Sequence, residues 1–102
     1  MHMKSWRKTM KLKSWSHFFQ AIARGDKTHD LRSKADREFF VGQVLTLQEY
    51  DPFEGKYSGN EVDVVVTFIT DDVTPCAFSS AVLDKGYCIL SLRLVKTDEV
   101  PF

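Results

Sequence analysis

The sequence predicts an α+β fold: a small closed or nearly closed β-barrel with one main helix flanking a cleft. Three observations carry this. A single helical stripe occurs early, about four strand-like segments follow it, and no βαβ alternation separates them. With 102 residues, 43% of them hydrophobic and 27% charged, the chain suits one domain with one core. Residues 1–9 read as an N-terminal extension and 10–102 as the domain.

The helix comes first. Trp15, Phe18, Phe19 and Ile22 recur at i, i+3, i+4 and i+7, one apolar stripe on a short helix, so Trp15 is expected in the core. Ser16 suits the N-cap and Gly25 the left-handed position after the last turn. The octapeptide GDKTHDLR, residues 25–32, follows at once. Its second half reads as a strand in which Thr28, Asp30 and Arg32 share one face and His29 and Leu31 the other. As Leu31 is the apolar member, its face is expected to turn to the core. Lys27 belongs to the turn.

Next, VLTLQEY (44–50) alternates and is rich in β-formers, and EVDVVVTFIT (61–70) is nearly continuously apolar, as suits a strand covered on both sides. Between them DPFEGKYSGN, with Pro52, Gly55 and Gly59, predicts a long hairpin loop. Residues 71–85 break at Pro75 and are expected to hold a loop and a short helical turn. Gly86 then opens YCILSLRLV (87–95). Alternation places Leu45, Leu47, Val64, Val66, Leu90, Leu92 and Leu94 in one core.

The formal net charge of zero conceals a division. Residues 1–37 carry ten basic side chains against three acidic ones, a net of +7, and the remainder carries the balancing −7. Clustered Lys and Arg suit an anionic partner such as nucleic acid, provided the two halves do not interleave in space and cancel. No apolar run approaches the roughly 20 residues of a membrane helix, and no apolar segment follows the basic start as a secretory signal requires. Cys76 and Cys88 fit a reducing compartment, and Cys88, alternating within an apolar run, reads as a packing residue. The expectation is a cytoplasmic protein without a membrane partner. No spacing of His and Cys suggests a metal, and nothing suggests a cofactor.

GDKTHDLR resembles the GxKxxExR signature of the ASCH domains, members of the PUA-like superfamily, with Gly25, Lys27 and Arg32 matching and Asp30 in the Glu position. The segments LKSWSHFFQAIARGDKTHDLR, ADREFFVGQVLTLQEYDP, YSGNEV and the GY of DKGYCILSL are similar, in that order, to small bacterial and phage ASCH-like proteins of unassigned function. The resemblance runs from about Met10 to Val95. It implies a PUA-like barrel with the signature residues lining a cleft beside the helix, and an RNA or nucleotide-like ligand. One branch of the family hydrolyses acylated cytidine with a lysine, a threonine and a glutamate. The lysine matches Lys27, but the threonine position, third after it, is Asp30 here. Relatives also carry a histidine where this chain has Met10 and a proline where it has Ser16.

The candidate binding residues are therefore Lys27, Thr28, Asp30 and Arg32, with Lys13 and Arg37 extending a phosphate track and Tyr87 offering a stacking surface. Trp6 and Trp15 are further stacking candidates. From residue types alone, Lys27, Asp30 and Arg32 fit an exposed ion-pair group as well as a cleft. For a hydrolase, the alternative to a binding module, Lys27 and Asp30 are the candidates for charge-stabilising and acid/base roles. Ligand identity and oligomeric state are not legible.

Overall fold

Five strands and one helix succeed one another as β1 (Met10–Trp15), α1 (Ser16–Arg24), β2 (His29–Ser33), β3 (Val44–Asp51), β4 (Lys56–Thr70) and β5 (Tyr87–Leu94). They belong to a computed structural model that describes residues 9–35, 37–74 and 83–95. The strands form one sheet in the order β1-β3-β4-β5-β2, with β1 parallel to β3 and the other neighbours antiparallel. The sheet curls into a half-barrel with α1 beside it. The α+β class is as expected, but the sheet is a half-barrel and not a closed barrel, and β1, a fifth strand ahead of the helix that alternation did not announce, forms one edge with β2 as the other.

Register explains the core. Leu12 lies opposite Leu47, Leu45 opposite Val64, and Val66 opposite Leu92, so the inward positions of four strands meet on one face. These residues are buried together with Leu90 and Cys88, and Leu94 packs against them. All seven core positions expected from alternation thus join one cluster. The buried Cys88 is a packing residue, and burial pushes its thiol pKa up. Helix α1 adds Phe19 and Ile22. A nine-residue helix is marginal alone. Burying these two side chains, at roughly 1.5–3 kcal/mol each, holds it in place.

The helix ends differ in how well the sequence announces them. Gly25 has φ +87° as expected, and the N–H groups of Asp26 and Lys27 both donate to Ala21 C=O, at 2.9 and 3.1 Å. At the start, Trp15 rather than Ser16 occupies the N-cap, without a side-chain cap. Ser16 instead donates to Tyr50 C=O at 3.3 Å, fastening the helix to β3. Trp15 is also not in the core, being 53% exposed. It is the last residue of β1, and its parity there sets it opposite to the buried Leu12 and Ser14.

The long loop expected between β3 and β4 is a tight turn of residues 52–55. Asp51 makes it: its carboxylate accepts from Phe53 and Glu54 N–H at 2.9 and 3.1 Å, and its C=O from Gly55 N–H at 2.7 Å. Gly55 sits at φ +71°, and Tyr50 pairs with Tyr57 immediately beyond. Residues 56–60 therefore extend β4. The helical turn expected within 71–85 falls largely on 75–82, outside the described residues.

Leu31 reverses expectation. It is 57% exposed, whereas Asp30 and Arg32 lie on the face of Leu90 and Cys88, their register partners. Alternation within β2 holds as read, but the phase is inverted. The register of β2 is set by its pairing with β5, whose inward face belongs to Cys88, Leu90 and Leu92. One leucine on an edge strand cannot outweigh that.

Candidate functional site

The two sheet edges and the helix enclose a cleft of about 400 Å³ lined by Ser14, Trp15, Phe18, Lys27, Asp30, Leu31 and Arg32. It is the seam where the half-barrel stays open: Ser14 and Trp15 come from β1, Asp30 to Arg32 from β2, and Phe18 from α1. Sharp chain reversal at Gly25 delivers Lys27 to the same place. The volume falls within the range of small-ligand pockets.

Electrostatically the cleft is mixed. Arg32 Nε donates to Asp30 Oδ2 at 2.7 Å, with the two side chains only 17% and 14% exposed. A short, charge-assisted bond in such a setting fixes both groups. One guanidinium nitrogen is used in that bond, and among the described residues the two terminal nitrogens make no further hydrogen bond. Lys27 Nζ stands 5.6 Å from the Phe18 ring centroid, within cation–π range. Phe18 is 44% exposed and stacks with Trp15 at 6.5 Å between centroids. Two cations, one carboxylate and two aromatic faces thus share one concavity.

Not every candidate is there. Thr28 is exposed, and its C=O accepts from Leu92 N–H at 2.8 Å. Lys13 lies on the outer side of β1, its Nζ 4.1 Å from the Tyr50 ring centroid. Arg37 is exposed beyond β2, and Tyr87 pairs with Ser33 at the far end of that strand. None of the four lines the cleft. Trp6 lies outside the described residues. Among the described residues, no three His, Cys, Asp or Glu side chains come together as a metal ion would need.

A residue that was not singled out stands nearby. Glu49, 5% exposed, lies opposite the cleft residue Ser14 in the β1–β3 register. Its carboxylate accepts from Ser58 at 2.7 Å, Asn60 at 2.9 Å and Gln20 at 3.0 Å. Those donors, Ser58 foremost, hold its pKa below the ordinary carboxylate value against the opposing effect of burial. The signal was present: Leu45, Leu47 and Glu49 share one parity, so the alternation that buries two leucines buries a carboxylate too.

A second ion-pair group lies past the end of β2. Lys34 Nζ is 3.0 Å from Asp72 and 3.4 Å from Asp71, tying the exit of β2 to the end of β4. The exposed Arg24–Asp26 pair, 2.9 Å, closes the helix turn. Part of the basic first third is therefore neutralised locally.

These features define a small α+β domain with a largely apolar, aromatic-walled cleft that carries three charged side chains between its open sheet edges. The family model described as a domain of unknown function, DUF3850, matches residues 9–92, and the chain belongs to that family. No curated protein matches it. Among the described residues no helix is long and apolar enough to cross a membrane.

Proposed function

We propose that this is a non-catalytic binding module of the ASCH, PUA-like type, whose cleft takes RNA or a nucleotide-like ligand. One observation carries the reading: Lys27, Asp30 and Arg32, the residues of the GxKxxDxR pattern, share one cleft with the aromatic faces of Trp15 and Phe18. Cations suit a phosphate, an exposed ring suits stacking on a base, and a fixed acid–guanidinium pair offers directed donors and acceptors. A solvated surface group has no such combination.

The hydrolytic alternative needs Asp30 as an acid or base, but Arg32 already engages that carboxylate. Binding is the simpler use of the pair. Replacing Lys27 or Arg32 by alanine is expected to weaken binding of single-stranded RNA or nucleotide by about 1–3 kcal/mol, the worth of a charge-assisted hydrogen bond, with the fold intact. Lys85→Ala, outside the cleft, is expected to bind as the parent does. Parent-like binding by both cleft variants would refute the proposal, and turnover of an acylated nucleoside would move it to the hydrolase.

A further inference from the structure

Leu31 lines the cleft although its side chain belongs to the opposite face of β2 from Asp30 and Arg32. Two main-chain bonds explain this. Leu92 N–H donates to Thr28 C=O at 2.8 Å, and Lys34 N–H donates to Gly86 C=O at 2.8 Å. Both belong to the unbroken β2–β5 register, in which Asp30 faces Leu90 and Arg32 faces Cys88. In an antiparallel ladder, bonded and non-bonded pairs alternate. Residues 28, 30, 32 and 34 therefore direct their peptide groups at β5. Leu31, between them, directs its N–H and C=O the other way, to the open edge, and among the described residues β2 has no neighbouring strand there.

Resting on the cleft reading above, we infer that the Leu31 peptide reads the hydrogen-bonding edge of a nucleobase, its N–H donating to a ring acceptor and its C=O accepting from a neighbouring donor. Every nucleobase edge that can form a base pair presents a donor beside an acceptor. The ring then stacks on the exposed aromatic wall of Trp15 and Phe18, while Lys27 and the free guanidinium nitrogens of Arg32 meet the phosphate. An added peptide strand would use the same edge, but the open cleft beside it, about 400 Å³ with β1 and α1 on its other side, is of a size to take a base. The base is thus recognised by main chain and the phosphate by side chains, so the two contributions are separable by mutation.

Proline at position 31 removes the N–H without removing a ladder bond, because that N–H faces away from β5, and edge strands tolerate proline on these terms. The experiment titrates isotope-labelled protein with the four ribonucleoside 5′-monophosphates and with ribose 5-phosphate, following backbone amide shifts and affinity. The Leu31 amide is expected to move with at least one nucleotide and not with ribose 5-phosphate. Leu31→Pro is expected to weaken that nucleotide by about tenfold, the loss of one hydrogen bond, and to leave ribose 5-phosphate unchanged. Lys85→Ala, outside the cleft, is expected to stay near the parent. An unmoved Leu31 amide at saturation, or a folded Leu31→Pro that binds nucleotide like the parent, overturns the inference. In that case a loss on Lys27→Ala still upholds the cleft. Equal affinity for ribose 5-phosphate and every nucleotide also overturns it, since no base is then read. If the parent binds neither, the cleft reading falls as well. If Leu31→Pro does not fold, the amide shift in the parent decides.

Discussion

At the residue scale, Asp30, Leu31 and Arg32 show what strand parity can and cannot deliver. That Asp30 and Arg32 point together follows from a period of two and holds. Which side they take does not follow, because the only apolar guide in β2 is Leu31, and the register with β5 overrides it. Glu49 shows the converse: its burial was readable from parity with Leu45 and Leu47, but its partners Gln20, Ser58 and Asn60 come from two other elements. Glu49→Gln keeps the shape and sets an amide N–H₂ against those donors. It is expected to destabilise the fold by about 1–3 kcal/mol at neutral pH. Because the folded pKa lies below the ordinary value, the charged form's contribution is present above that ordinary value. It is lost as pH falls through the folded one. Urea midpoints of parent and Glu49→Gln should therefore converge in acid, and a constant gap across pH would contradict this reading.

At the element scale, the alternating segments declared β3, the second half of β4 and β5 clearly, and the helical stripe with Gly25 declared α1. Where the chain turns was less legible. Pro52 and Gly55 mark a turn, but its length depends on Asp51 satisfying the N–H groups of Phe53 and Glu54, a local bond that composition does not announce. Asp51→Ala is expected to cost about 1 kcal/mol, readable as a shifted urea midpoint, because two N–H groups lose their acceptor. Leu47→Ala tests the core that the strands share. Leu47 is fully buried where β1, β3 and β4 pair, so about 2–5 kcal/mol should be lost. A loss below 1 kcal/mol would mean the half-barrel is packed differently. The cleft itself was not legible at this scale. It exists because β1 and β2, distant in order, are the two edges of one curled sheet among the described residues.

For the whole molecule, the basic first third of the sequence does not translate into one basic surface. Arg24 and Lys34 are engaged by acids, Lys13 lies on the outer side of β1, and the cleft holds Lys27 and Arg32. With Lys27 unpaired among the described residues and Arg32 shared with Asp30, the log–log salt slope for single-stranded RNA is expected between about −0.7 and −1.4, at about −0.7 per phosphate. A slope several times steeper would mean that the whole basic segment engages, and a flat one that no phosphate is neutralised. The most direct measurement of what the cleft does uses Trp15 as its own reporter. In a Trp6→Phe background, Trp15 is the only tryptophan, and a base stacked on its exposed face should quench its fluorescence. Titration with the ribonucleoside 5′-monophosphates is expected to give saturable quenching that Arg32→Ala weakens about tenfold or more. No quenching by any nucleotide, or quenching indifferent to Arg32→Ala and Lys27→Ala, would contradict a nucleotide-binding cleft.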